Sequence, residues 1–533
     1  MIEKFDVIVI GAGASGLSSS WYLAKSGLKV CCVEQGDYIK NTDFIPIENG
    51  GEIQRYRELS FDPNIRDNRC DYSIDSSDSP ISIANFNGVG GSTVLFSAQY
   101  PRFQAQDFKS FSQDSVGFDW PISYKDLKPF YDLNDKITGV AGLEGDPFYP
   151  DIKNLLDPVP LGRMGKKILN GFKNLGWHCW PAYSAINTRE YDCRPKDNYS
   201  RPSNMGNQTG SKGSTDNTYL PKAIKEGLII KTKTKVIKLI EDTRKITKIL
   251  CRDESRNKFY LEAKIFILAA SGIGTPRILL NSKNDNNFNG LSNSSGLVGK
   301  NLMLHPLGYV EGFFKDNLYS NVGPQGCCLI SQQFYKTNQQ NNFKRGYTFQ
   351  VLRGPLPIES ALNLTARKII KLGDDFLTKF LSIYNHTAHL TVITEDLPEE
   401  SNYIMLDHLK VNEYGEPGIS IHYKLSDNTK NMLSHGLSKG RLLMKESGAY
   451  KSFAFGPVKS TGWHIMGTCK MGSDPKTSVV NKYGLSHDIK NLFIIDSSIF
   501  PTSAGVNPAS TIQALSLFIS EKIITKYKNL LHK

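Results

Sequence analysis

Phe5-Asp6-Val7-Ile8-Val9-Ile10-Gly11-Ala12-Gly13-Ala14-Ser15-Gly16 sets the fold class. Val7 to Ile10 is an unbroken apolar run, as a strand covered on both faces requires. Gly11 permits the tight turn off that strand, Gly13 lets a pyrophosphate approach the backbone, and Gly16 lets a helix pack closely on the sheet. A helix is expected from Leu17 to Ser26, ended by Gly27, and its N-terminal N–H groups would face phosphates. Leu28 to Val33 reads as a second strand with Glu34 at its carboxyl end, 18 residues after Gly16. A carboxylate there accepts hydrogen bonds from both ribose hydroxyls. A glycine-rich structural turn is the competing reading, but strand, loop, helix and acid together specify a dinucleotide site. The acid disfavours a 2′-phosphate and hence NADP, and leaves FAD and NAD open.

The chain has 533 residues, 39% hydrophobic and 22% charged, enough for two or three domains sharing a large core. No apolar run reaches the roughly 18 residues of a membrane span. Val7-Ile8-Val9-Ile10 flows straight into the glycine loop, so no secretory leader is expected and the cytoplasm is the expected location. Nine cysteines without a CxxC pair fit a reducing compartment. The net charge of +12 comes from scattered Lys and Arg. That reads as a lysine-rich surface rather than a nucleic-acid footprint, with attraction of anionic partners left open.

Further segments carry small-residue loops. Asn87-Gly88-Val89-Gly90-Gly91-Ser92-Thr93 lets a backbone lie flat against a planar or phosphorylated ligand. Lys264 to Ala270 is a buried strand leading into Ser271-Gly272-Ile273-Gly274-Thr275-Pro276, with a helix from Arg277 and Pro276 in its first turn. Trp463-His464-Ile465-Met466-Gly467-Thr468-Cys469-Lys470-Met471-Gly472 sets a histidine among small and apolar neighbours. Asn491 to Asp496 is a strand ending in an acid, and Asn507-Pro508 caps a closing helix from Thr511 to about Tyr527.

GAGASG, GVGGST, SGIGTPRILLNS, VGKNLMLHP, HIMGTCKMGSDPKTSVV and DSSIFPTSAGVNPASTIQAL, in that order, resemble the glucose–methanol–choline (GMC) flavoprotein oxidoreductases. The match looks closest to the branch of pyranose oxidase, gluconate dehydrogenase and glucoside 3-dehydrogenases. The resemblance implies an α/β fold (α+β overall): a Rossmann-like FAD-binding domain from 1–110, 220–310 and 455–533, and a sheet-based substrate-binding domain from 111–219 and 311–454. It implies FAD, with Gly11, Gly13, Ala14, Ser15 and Gly16 at the pyrophosphate and Glu34 at the adenosine ribose. Val236 would meet adenine, Gly90, Gly91, Ser92 and Thr93 would line the isoalloxazine, and Asp496 would touch the ribityl–phosphate region. The backbone of Asn507, Pro508, Ala509 and Ser510 would approach the pyrimidine edge. With one complete GxGxxG, a separate NAD(P)H domain is not expected.

The activity so implied is oxidation of a hydroxyl of a sugar, glycoside or polyol to the carbonyl, with hydride to flavin N5. His464 would be the base and Asn507 its hydrogen-bonding partner on the substrate oxygen. A primary or aliphatic alcohol, or a non-oxidative flavin lyase reaction, are the alternatives, and a binding protein with a vestigial flavin is the remaining rival. The acceptor would be oxygen, a quinone or a soluble carrier. Oligomeric state is open.

Several departures qualify the resemblance. Arg194 to Ser211 reads RPKDNYSRPSNMGNQTGS with only Cys193 nearby, so no iron–sulfur cluster is expected, and no metal site otherwise. No histidine lies between Gly88 and Tyr100, so FAD should be non-covalent. His305 is expected to pack beneath the site, His386 and His389 could share a helix face and bind metal but lack a companion acid, and Trp463 would form pocket wall or stack on a sugar face. Residues 35–80 are a lid, a subunit contact or a solvated excursion.

Overall fold

The computed structural model describes residues 2–66, 71–200, 203–323, 326–353 and 355–531. Residues 67–70, within the 35–80 segment, lie outside them.

The first strand, Glu3–Ile10, is the centre of a seven-stranded sheet. It runs parallel to Val30–Val33 on one side and to Lys258–Leu268 on the other. Ile10 stands opposite Val33 in one register and Leu268 in the other. Gly11, Glu34 and Ala269 therefore emerge together at the carboxyl edge, where open α/β sheets bind ligands. Ile229–Lys231 and Leu492–Ile494 extend the parallel part, and Lys235–Asp242 and Lys245–Arg252 add an antiparallel edge. Val7, Ile8, Val9, Val30 and Ile265 to Leu268 are almost wholly buried, each such side chain contributing roughly 1.5–3 kcal/mol.

The glycine-loop helix spans Ala14–Lys25, three residues earlier than its apolar pattern suggests. The closing helix spans Ala509–Thr525. The two pack through buried hydroxyl pairs, Ser18 with Ser516 at 2.6 Å and Ser19 with Ser520 at 2.7 Å. Short serines allow this approach and satisfy one another. A third helix, Tyr124–Thr138, packs on the same core, its Tyr131 hydroxyl 2.7 Å from Thr511 Oγ1.

One boundary differs from expectation. The helix expected from Arg277 begins at Ser271, so Pro276 lies inside it rather than in its first turn. Proline lacks the N–H that would bond the carbonyl four residues back. That carbonyl, Gly272 O, accepts instead from Thr468 Oγ1 at 2.8 Å, which ties the helix to the His464 segment.

A six-stranded antiparallel sheet runs in the order Lys451–Phe455, Leu307–Phe313, Thr387–Thr394, Tyr347–Arg353, Gly326–Ser331, Trp180–Pro181. Helix Asp427–Glu446 lies across it. A small sheet pairs Ile74–Asp78 with Pro417–His422 and that with Tyr403–Val411. Arg345, buried, bonds Asp107 at 2.8 Å, Glu395 at 2.9 Å and Asp114 at 3.0 Å, joining the six-stranded sheet to the 105–114 turns. No helix among the described residues is long and apolar enough to cross a membrane.

Candidate active site

A cavity of about 1100 Å³ opens at the carboxyl edge of the parallel strands. Gly11, Gly13, Ala14, Ser15, Glu34, Gly91, Ser92, Thr93, Val236 and Asp496 all line it. Gly16, Gly90 and Ser510 do not line it and act from behind. A Cβ on Gly16 would lie 1.8 Å from Gly11 O, so only glycine lets the helix start against the turn. Gly91, at φ +53°, would place a Cβ 2.8 Å from Gly13 Cα, so the two glycine loops meet backbone to backbone. Gly90 donates its N–H to Ala12 O at 2.8 Å and accepts from Thr93 Oγ1 at 2.6 Å. Ser510 is fully buried in the first turn of the closing helix.

Glu34 accepts from the N–H of Ala12 at 2.8 Å and of Gly36 at 2.9 Å, one on each oxygen. Burial pushes its carboxyl up, and those N–H donors pull it back. Each oxygen keeps a lone pair for a sugar hydroxyl. Asp496 is held by Thr275 Oγ1 at 2.5 Å and Ser498 N–H at 2.9 Å. A glycine-walled cradle and a fixed buried carboxylate at the carboxyl edge of parallel strands fit a dinucleotide such as FAD.

A second cavity, about 850 Å³, shares Ala14, Ser92, Thr93, Trp463 and Ile512 with the first and adds His464, Asn507, Pro508 and Ala509. The two therefore adjoin along these residues, with the His464–Asn507 pair in the second. His464 Nε2 lies 3.2 Å from Asn507 Nδ2. Although 43 residues apart in sequence, the two meet because the 501–507 turn precedes the closing helix and the His464 segment crosses beside it.

The proton positions follow from the partners. His305 Nε2 faces two carbonyls, Ala504 O at 2.6 Å and Ser503 O at 3.2 Å, so it carries a hydrogen. Neutral His305 then has a bare Nδ1, which lies 3.0 Å from His464 Nδ1. His464 must donate there, which leaves its Nε2 bare and facing the cavity. Gln350 Nε2 donates to Asn507 Oδ1 at 2.6 Å, turning the Asn507 amide hydrogens toward that bare nitrogen. Burial pulls His305 down to about 4, its carbonyl partners opposing. Burial first, and then His305, holds His464 well below its ordinary value. Both rings are neutral at physiological pH.

His305 thus contacts His464 directly rather than merely packing beneath it. Gln350, Gln99, Asn204, Phe61 and Phe96 were not legible as site residues. All come from segments without a motif, and only the recurrent Leu-His-Pro pattern flagged His305. Trp463 is wall, 39% exposed at the mouth, its ring against Phe61. Within 35–66, Glu52 accepts from the N–H groups of Ile358 and Glu359, both at 2.7 Å, which anchors this segment to helix Pro357–Ala366 while Phe61 reaches the cavity. His389 lies on a strand, not a helix, bonded to Tyr309 and, at 3.0 Å, to Thr387. Among the described residues, no three His, Cys, Asp or Glu side chains converge as a metal site requires. Next to the 194–211 stretch, the buried Lys212 amine donates to carbonyls of Val94 (2.6 Å), Phe96 (3.2 Å) and Ser203 (2.5 Å), and burial lowers it to about 7.

Residues 5–307 and 398–516 match the two GMC oxidoreductase family models. The chain belongs to the GMC oxidoreductases. The family is one of FAD-binding flavoproteins, and this member is an oxidoreductase acting on CH–OH groups. It is 32% identical to a 2-methyl-1,2-propanediol dehydrogenase of Mycolicibacterium austroafricanum, over 99% of this chain and 96% of that one. It is 26% identical to the fructose dehydrogenase large subunit of Gluconobacter japonicus, over 98% of each. Pyridoxine 4-oxidase from Mesorbium loti shares the fold, with a TM-score of 0.65 at 15% identity, over 97% of this chain and 99% of that one.

Proposed function

We propose that this GMC oxidoreductase binds FAD non-covalently in the glycine-walled cavity and oxidises a hydroxyl of a sugar, glycoside or polyol to the carbonyl. The observation that carries the reading is the bare His464 Nε2 set 3.2 Å from the Asn507 amide in the adjoining cavity. FAD, when bound, supplies the acceptor for the hydride that leaves the carbinol carbon.

The protein's own groups do the rest. His464 Nε2 takes the hydroxyl proton, so that charge builds on the substrate oxygen and the hydride leaves more readily. The proton taken has a place ready, because His464 Nδ1–H is already committed to His305 and need not move. Asn507 donates to the same oxygen and fixes its distance. Phe61, Phe96 and Trp463 give this space an apolar wall.

A second reading, a simple aliphatic alcohol or small diol, is favoured by the apolar lining of the second cavity and by the diol named for the relative at 32% identity. The electron acceptor is oxygen, a quinone or a soluble carrier. A cytoplasmic site of action and the two-domain division, 1–110, 220–310 and 455–533 against 111–219 and 311–454, belong to the same proposal. The test is anaerobic mixing of the yellow holoprotein with sugars, glycosides, polyols and aliphatic alcohols, followed by flavin absorbance. Bleaching by at least one class is expected, and none by any class would reject the reading.

A further inference from the structure

His305 and Ala504, the pair that settles the tautomer of His464, both sit in the left-handed backbone region, at φ +50° and +56°. Neither is glycine, and a side chain there costs free energy that the surrounding structure must offset. The two lie 199 residues apart and share one hydrogen bond of 2.6 Å, so something else has to hold each in place.

The holding groups come from the end of strand Thr387–Thr394. Thr394 donates its hydroxyl to Pro306 O at 2.6 Å, and Asp396 Oδ2 accepts from the Leu304 N–H at 3.0 Å. His305 is thus gripped on both sides by one short segment. The backbone of Asp396 reaches the other half of the pair. Its N–H donates to Ser503 Oγ at 2.9 Å, and its carbonyl accepts from the same hydroxyl at 2.8 Å. The Asp396 carboxylate is almost wholly buried, and its partners are neutral donors: the Leu304 N–H, the Tyr423 hydroxyl at 2.7 Å and the Thr429 hydroxyl at 3.5 Å. A carboxylate buried among neutral donors is costly, so its presence calls for a reason beyond packing.

We infer that Asp396 is a positioning residue for the oxidation. Its carboxylate fixes the backbone before His305 and its main chain fixes the Ser503–Ala504 turn, which keeps the two strained residues in contact. His305 Nε2 then keeps its hydrogen on Ala504 O, His305 Nδ1 stays bare, and His464 presents a bare Nε2. Without that grip each left-handed residue relaxes toward negative φ, and the bond that sets the tautomer is lost. The inference rests on the reading of His464 as the base.

The test is a double-mutant cycle on the FAD-loaded holoenzyme, read as anaerobic flavin reduction by the alcohol that the wild type uses best. Asp396→Leu is expected to slow reduction at least about fivefold, in the limiting rate more than in the half-saturating alcohol concentration. Asp396→Asn keeps an oxygen for Leu304 and Tyr423 and should stay within about twofold of the wild type. On top of His305→Leu, Asp396→Leu should cost no more than about twofold further, because the group it acts through is gone. Ser503→Ala, which cuts only the link to the turn, takes its place in the cycle where Asp396→Leu does not retain FAD, with the same coupling expected. An unchanged rate in Asp396→Leu, an equal loss in Asp396→Asn, or a full further loss on top of His305→Leu would overturn the positioning role while leaving His464 as the base. No flavin reduction of the wild type by any alcohol would remove both.

Discussion

His305 Nδ1 lies 3.0 Å from His464 Nδ1, and the two imidazoles meet edge to face at an interplanar angle of 86°. One nitrogen of such a pair must donate and the other accept. The carbonyls of Ser503 and Ala504 decide which, because they claim the hydrogen of His305 Nε2. The tautomer of His464 is thus set two hydrogen bonds away, by backbone of the same turn that carries Asn507.

His305→Leu removes the acceptor and frees His464 to hold its proton on Nε2, the face that has to be bare. Flavin reduction is expected to slow by about 10–100-fold, with the FAD spectrum retained. His305→Gln, with an oxygen to accept and an amide to donate, should recover most of the rate. Equal loss in both variants would point to a packing role alone.

Proton uptake should carry the signature of this burial. His464 lies well below its ordinary value, so the acid limb of the reduction rate should fall well under pH 6.5. His305 is depressed to about 4 from an ordinary 6.5, so between those values the unfolded chain binds the proton and the folded one does not. Stability of the cofactor-free protein should therefore drop as pH falls from 6.5 to 4, by up to about 3 kcal/mol from this ring. Denaturant melts across that window check it, and His305→Leu should flatten the slope.

Gln350 bonds only the far side of the Asn507 amide. Gln350→Leu frees that amide to flip its oxygen toward His464, where two lone pairs would face each other. A loss of about 5–50-fold in kcat with a smaller change in KM is expected from steady-state kinetics.

Much of this was legible in the sequence, for a physical reason. Residues that touch a fixed cofactor through backbone must be glycines, small residues or an acid at set spacing, and Gly11, Gly13, Ala14, Ser15, Glu34, Gly91, Ser92, Thr93 and Asn507 to Ala509 line the two cavities. His464 and Asn507 come from the same dense segments. Gln99, Asn204, Gln350 and Phe61 left no such trace. They act through side chains on strands, turns and the 35–66 excursion, where any residue type fits the local backbone and only the tertiary fold brings them to one cavity. Pro276 misled for a related reason: its stranded carbonyl is satisfied by Thr468, nearly two hundred residues on.

Gly16→Ala tests the cradle. The added methyl would sit 1.8 Å from Gly11 O, so the helix must back away from the turn. The purified variant should carry little or no FAD and melt earlier, by more than about 2 kcal/mol. A yellow variant of unchanged stability would contradict the close packing.

The central claim is that His464 Nε2 accepts the substrate proton. Stopped-flow flavin reduction of FAD-loaded His464→Ala, under anaerobic conditions with the best alcohol of the panel, tests it most directly. The rate should fall about 10²–10⁴-fold, while FAD content and thermal stability stay near those of the wild type. Reduction at an undiminished rate would contradict it.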